Sequence, residues 1–296
     1  MNLTPVSFRF AALTKDHAMS HKSIADRFVA ARRTATALPD YPGDLPATMA
    51  DAYAIQDAAL DQWHQDLVGW KIARIHPDFQ AKHGERMAGP IFANTFQTYQ
   101  GETLTYPLFT GGFGAVEAEF VLRIDHDADP EKTSYTEEEA LRLCDGLFAG
   151  VEVAGSPFPK INELGPTVTA SDFGNNFGEI LGPRLLEIDS DTTLDTVSPE
   201  VLKNYKSKTE IDNQIVGEGG LFVMPGGPFQ ALAWLAGHLA ARGRPLTRGL
   251  LISTGQTTGV HAIKAGQTSV ITFSGVADVV IRLKTVPLTA DAPEIS

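Results

Sequence analysis

The period of the apolar residues changes once along this chain, and that change limits the folds open to it. Up to residue 68 the pattern is helical. Ser23 is placed to cap a helix carrying Ile24, Phe28 and Ala31 on one face, ending near Arg32 and Arg33, where cations suit the C-terminal end of the dipole. Residues 1 to about 22 show no period and read as a loose arm. Leu38 to Pro46 holds three prolines and a glycine and reads as a connector. Thr48 opens a second helix striped by Tyr53, Ile55, Ala59, Leu60 and Trp63. After Gly69 the period shortens to two. Trp70 and Ile72 share one face of a strand running to Ile75, with Lys71 on the other.

Further short β runs follow at Pro90 to Ala93, Ala115 to Ile124, Gly150 to Ala154, Glu179 to Ile188, Gly249 to Ser253 and Ser269 to Leu283. Two helices interrupt them. Thr136 and Glu139 have capping-box spacing ahead of Ala140, Leu141, Leu143 and Leu147, and Pro228 precedes Phe229, Leu232, Leu235 and Leu239, with Gly243 as the stop. Helices first and strands later predict an α+β fold rather than a βαβ alternation, with a helical region over 1–68 and a β-rich region over 69–296.

The charge of −12, from 24 Lys plus Arg against 36 Asp plus Glu, argues against binding to a nucleic-acid backbone or an anionic membrane. No apolar stretch reaches signal-peptide or bilayer-spanning length, so a cytoplasmic protein is expected. A single cysteine, Cys144, makes no internal disulfide and is expected as a small buried residue inside an amphipathic helix. There is no phosphate-binding loop and no G-x-S-x-G elbow, and Gly111, Gly112 and Gly114 precede a strand where a dinucleotide fingerprint would follow one. His76 and His83 are seven residues apart in an expected loop, a poor metal pair.

Two kinds of carboxylate can be separated. The run Asp125 to Glu139 contains seven, but it reads as a solvated loop leading into a helix start. Glu117 and Glu119, in Val116-Glu117-Ala118-Glu119-Phe120-Val121-Leu122, are two apart in a strand, so they share a face roughly 6.5–7 Å apart. Glu152 stands between valines in a second apolar strand. On a one-sided sheet such residues simply face water. Gathered inside the protein they would repel one another unless a cation lay between them, and oxygen-only ligands favour Mg²⁺ or Mn²⁺ over zinc.

These stretches, in order, resemble the fumarylacetoacetate hydrolase superfamily, specifically its 2-keto-4-pentenoate hydratase branch. The resemblance rests on Gly69-Trp70-Lys71-Ile72, Val116-Glu117-Ala118-Glu119, Val151-Glu152-Val153, Ala231-Leu232-Ala233-Trp234-Leu235-Ala236, Ser253-Thr254-Gly255 and Phe273-Ser274-Gly275, over about residues 50 to 283. It implies a mixed β-roll and a divalent metal on Glu117, Glu119 and Glu152. It also implies that Lys71 assists at the substrate, that Asp172 lies in a pocket loop, and that Thr254 and Gly255 bind a substrate carboxylate. Homo-oligomers and a role in aromatic catabolism are further implications.

Where the hydratases carry an acidic residue followed by Tyr-Gly, this chain reads Glu85-Arg86-Met87-Ala88-Gly89, and an Asp-Asn-Ala-Ser-Ser-type loop becomes Asp172-Phe173-Gly174-Asn175-Asn176. Met87 takes the place of the acid, leaving Glu85 or Asp172 as the expected proton-transfer residue. The expected activity is metal-dependent hydration of a 2-hydroxy-2,4-dienoate, a small 2-oxo or 2-hydroxy acid whose adjacent oxygens chelate a hard cation. Decarboxylation of an oxalocrotonate-type acid, dehydration of a 2-keto-3-deoxy sugar acid, C–C hydrolysis of an acylpyruvate and a non-catalytic metal-binding role are the alternatives.

Overall fold

A computed structural model describes residues 20–290 of the chain. The first helix, α1 (His21–Arg33), is capped by the Ser20 side chain, three residues ahead of Ser23, and the rest of the expected N-terminal arm lies outside the described residues. Helix α2 (Met49–Trp63) begins as the sequence predicts, with a capping box between Thr48 and Asp51. The chain then forms β1 (Leu67–Arg74), α3 (Pro77–His83), β2 (Arg86–Phe92), β3 (Phe96–Thr98), β4 (Thr103–Leu108) and the long β5 (Phe113–Ile124). Helix α4 (Glu137–Leu141) leads into β6 (Cys144–Ser156), and α5 (Pro166–Ser171) into β7 (Asn176–Glu187). The short α6 (Pro199–Leu202) precedes a hairpin of β8 (Lys206–Ile211) and β9 (Gln214–Gly220). Helix α7 (Gly227–Ala241) precedes β10 (Leu251–Ser253), β11 (His261–Ala262), β12 (Thr268–Ser274) and β13 (Val279–Pro287).

The strands make two mixed sheets. One runs β2-β1-β10-β5-β6-β7-β3 with β11 added on β5, and the other runs β4-β13-β12-β8-β9. Both contribute to one apolar core that holds Ala118, Phe120 and Leu122 of β5, Val151 and Val153 of β6, Ile271 and Phe273 of β12, and Leu232, Leu235 and Leu239 of α7. Phe120 meets Phe273 edge-on at 5.3 Å between ring centroids. Among the described residues no helix is long and apolar enough to cross a membrane.

Two local expectations are corrected, and one hairpin adds to them. The helix read over Ala140 to Leu147 stops at Leu141, because Cys144 and Leu147 pair with Ile124 and Leu122 on β5. Long-range pairing outweighs helical spacing there, and Cys144 opens a strand instead of sitting in a helix. Its thiol is buried and its pKa is pushed up by that burial. The run Ser269 to Leu283 is a hairpin, turned at Gly275, where φ is +96°. The β8–β9 hairpin, with both turn residues Asp212 and Asn213 in the left-handed region, was not read from the sequence at all.

The core also explains a cost. Each large apolar side chain on the inner face of β5 stabilises the fold by roughly 1.5–3 kcal/mol. The other faces of β5 and β6 are no more exposed, since residues 115–122 and 146–156 are all buried. Charged side chains there therefore lose their hydration, which only a partner or a cation offsets.

Candidate metal centre

Strand register places the site. In antiparallel ladders directly opposed residues share a face, so pairing can be followed from strand to strand. Lys71 on β1 lies beside Ser253 on β10, and Ser253 beside Val121 on β5. Glu119 and Glu117 follow two and four residues along β5, on the face of Val121. Glu117 is opposite Glu152 on β6, and Glu152 is opposite Glu179 on β7. One face of five adjacent strands thus carries an ammonium, a hydroxyl and four carboxylates.

All four carboxylates are buried: Glu117 is 5% exposed, Glu119 1%, and Glu152 and Glu179 0%. The solvent-facing alternative for the E-x-E strand is thereby ruled out. One oxygen from each of Glu117, Glu119 and Glu152 lies within 4.8 Å of the others. Lys71, 3% exposed, reaches Glu152 Oε1 at 3.3 Å. One ammonium cannot balance four buried carboxylates, so the row needs protons or another cation.

The pKa shifts in the row follow from the same imbalance. Burial, reinforced by the charge of Glu152, pushes the Glu117 carboxyl up to about 8. Burial and Glu152 likewise hold Glu119 and Glu179 well above the ordinary carboxylate range. Burial alone would lower the Lys71 pKa, but Glu152, Glu117 and Glu119 outweigh it and hold the ammonium above its usual value.

The hydrogen bonds leave ligand atoms open. Ser253 Oγ and the Gly255 backbone N–H both donate to Glu119 Oε2, at 2.6 and 2.8 Å. Asn176 Nδ2 donates to Glu152 Oε1 at 3.0 Å, on the oxygen Lys71 also approaches. Glu152 Oε2 is buried without a hydrogen-bond partner. Three converging acids, one of them with an oxygen left without a partner, suit a hard cation with oxygen ligands. Glu179, whose two oxygens are also buried without a partner, was missed by sequence reasoning. Its signal was available: a lone acid heading the apolar run Ile180-Leu181, the same pattern that marked Glu152.

A cavity of about 420 Å³ opens onto the row, and Lys71 and Glu117 form its inner wall. Met87, Phe79 and Val260 give it an apolar side, while Asn175 and Arg74 add polar groups. Met87 thus occupies the place where an acid was expected and faces the cavity with a thioether.

The other expected site residues lie elsewhere. Glu85 is not in the cavity wall: its side chain is 67% exposed and pairs with Arg86 at 3.3 Å. Asp172 is 1% exposed and bound by Arg32, whose Nε and Nη2 donate to its two oxygens at 2.6 and 3.0 Å. Ser156 Oγ also donates to Asp172 Oδ2 at 2.6 Å, so its acceptors are committed to the protein. Thr254 Oγ1 donates to Phe120 O at 2.6 Å, and the Gly255 N–H is committed to Glu119. Both line a neighbouring pocket, on the Ile72 side of β1. Neither residue contributes a free donor to the cavity above the carboxylates.

The N-terminal helices and mixed sheets form the α+β fold that the sequence resemblance implied, and solved structures share it. Among solved structures, 4-oxalocrotonate decarboxylase from Pseudomonas putida G7, complexed with magnesium and adipate, matches with a TM-score of 0.70 at 18% identity, over 90% of this chain and 97% of that one. Fumarylpyruvate hydrolase from Pseudomonas aeruginosa, in complex with Mn²⁺ and pyruvate, matches with a TM-score of 0.51 at 16% identity, over 74% of this chain and 89% of that one. By sequence, 2-keto-4-pentenoate hydratase 1 of Dechloromonas aromatica (strain RCB) is 25% identical over 238 residues, covering 79% of this chain and 85% of that protein. No protein-family model matches the chain.

Proposed function

We propose that the chain is a divalent-metal-dependent lyase that adds water to a 2-hydroxy-2,4-dienoate, giving a 4-hydroxy-2-oxo acid. The observation that carries this reading is the buried triad of Glu117, Glu119 and Glu152, each bringing one oxygen within 4.8 Å of the others beside a cavity of small-acid size. Glu117, Glu119 and Glu152 would hold Mg²⁺ or Mn²⁺, which when bound supplies Lewis-acid stabilisation of charge developing on the substrate's adjacent oxygens. The likeness to two 2-keto-4-pentenoate hydratases, at 25% identity, supports hydration as the reaction.

The chain's own groups divide the remaining work. Lys71, kept charged by its carboxylate neighbours, offsets the substrate carboxylate and its 2-oxygen. Ser253, the Gly255 N–H and Asn176 fix the rotamers of Glu119 and Glu152, so the site is organised before substrate enters. Met87, Phe79 and Val260 keep water from the hydrocarbon end, while Asn175, with Oδ1 buried and unpartnered, is placed to hold the water that adds. In the overall reaction the enol gives up its proton and the diene terminus takes one. The water oxygen then bonds to C4, and C3 takes the water's proton.

A second reading, decarboxylation of an oxalocrotonate-type acid, is favoured by Met87. Loss of carbon dioxide needs no acid at that position, and the decarboxylase matches over 90% of the chain. Incubating the purified protein with Mg²⁺ and each acid separates the two by product mass: a gain of water supports hydration, and a loss of carbon dioxide supports decarboxylation. Turnover of neither acid would refute both.

A further inference from the structure

The strongest packing feature that the proposed reaction does not use lies under the metal row, where helix α1 touches the loop at 172–176. Arg32 is 7% exposed and donates in three directions. Besides its two bonds to the Asp172 carboxylate, Nη2 donates to the carbonyls of Gly155 at 3.0 Å and Asp172 at 3.2 Å, and Nη1 donates to the Asn176 carbonyl at 3.1 Å. The guanidinium also lies 5.0 Å from the centre of the Phe173 ring. One side chain therefore joins the end of β6, the loop and the start of β7.

That loop needs such a pin. Phe173, Gly174 and Asn175 have φ of +52°, +63° and +64°, three successive residues in the left-handed region, two of them not glycine. The loop also presses on β2, where a Cβ on Gly89 would come within 2.1 Å of the Phe173 carbonyl oxygen. Its exit residue is Asn176, which gives its carbonyl to Arg32 and its amide to Glu152 Oε1. Asn175, one residue earlier, reaches the cavity.

We infer that Arg32 is a positioning residue for the metal centre, acting through Asp172 and Asn176 to set the Glu152 carboxylate. The inference rests on the reading of Glu152 as a ligand. It makes the N-terminal helix part of the site's support and gives Asp172, expected to transfer protons, the role of anchoring the loop. With Oε1 held by Asn176 and Lys71, Oε2 is the Glu152 oxygen left without a protein partner and free for a cation. Loosening Arg32 frees the loop, then the Asn176 amide, then Glu152.

The test is a double-mutant cycle read as Mn²⁺ affinity by calorimetry on the full chain without substrate, with thermal unfolding of the metal-free protein measured alongside. Asn176→Ala is expected to weaken Mn²⁺ binding by about 10–100-fold, the usual cost of losing an outer-shell partner. Arg32→Lys and the milder Ser156→Ala, which removes one bond to Asp172 and the acceptor of the Phe158 N–H, are each expected to weaken it measurably, by up to about tenfold. Neither should add to the loss once Asn176 is Ala, because all act on one oxygen. If Arg32→Lys does not fold, the Ser156→Ala cycle gives the same readout. Full Mn²⁺ affinity in folded Ser156→Ala or Arg32→Lys protein, or losses that simply multiply, would overturn the inference while leaving the metal reading intact. A parent protein that binds no Mn²⁺ would overturn both.

Discussion

Glu117 on β5 and Glu152 on β6 face each other directly across an antiparallel ladder, both almost wholly withdrawn from water. Two such carboxylates cannot both stay ionised without a nearby positive charge, and Lys71 supplies only one. The pH behaviour of the protein follows. The Glu117 pKa rises from an ordinary 4.5 to about 8 on folding, so the folded state holds a proton that the unfolded chain releases. Stability from this group is complete below about pH 4.5 and is lost as pH rises toward 8. Metal-free protein should therefore melt at progressively lower temperature between pH 5 and 8, and saturating Mg²⁺ should remove that slope. Calorimetry near pH 7, in buffers of different ionisation enthalpy, should show protons released on metal binding, and fewer above pH 9. Binding without proton release at pH 7 would contradict the assignment.

Replacing Glu152 by Gln removes a proposed ligand and the main partner of Lys71 together. Mn²⁺ affinity should fall at least about 100-fold, more than for an outer-shell change. Glu117→Gln should show a similar loss but a smaller change in thermal stability, since Glu117 makes no ion pair within 4 Å among the described residues. Equal affinity in parent and both variants would remove these residues from the metal site.

Lys71→Met separates metal binding from substrate activation. Removing a cation from beside the carboxylates should leave Mn²⁺ affinity equal or higher. Turnover should fall on the order of 10²–10³-fold, the scale for losing one electrostatic stabiliser of the transition state. Steady-state kinetics at saturating Mg²⁺ checks this, and unchanged kcat would exclude a substrate role for Lys71.

Asp172 and Glu85 should behave oppositely to each other. Asp172→Ala leaves the Arg32 guanidinium buried without its carboxylate and should cost about 3–5 kcal/mol of stability, read by denaturant unfolding. Glu85→Ala touches an exposed side chain outside the cavity and should leave kcat/KM within about twofold, as surface changes usually do. A large activity loss in Glu85→Ala would restore it as the proton-transfer residue.

Local sequence carried much of this architecture. The Thr48 and Thr136 capping boxes, the helix after Pro228 and the E-x-E strand all depend on neighbours within a few residues, and all form. What it hid depends on long-range pairing. Arg32 reads as a cation at a helix end, yet its partner Asp172 is 140 residues away. Ser253 reads locally only as part of a turn, and its bond to Glu119 spans 134 residues. Cys144 was assigned to a helix because nothing local shows that β5 will claim the residues around it. The Asp212-Asn213 turn is a local signal too, since both residues tolerate the left-handed region.

The most direct test of the account is anomalous diffraction from crystals soaked with Mn²⁺ and oxalate, an analogue of the paired oxygens of a 2-oxo acid. The account predicts a single strong peak bonded to one oxygen from each of Glu117, Glu119 and Glu152, with oxalate completing the coordination on the cavity side, near Lys71. A peak that excludes Glu152, or no peak in this row at saturating Mn²⁺, would contradict it.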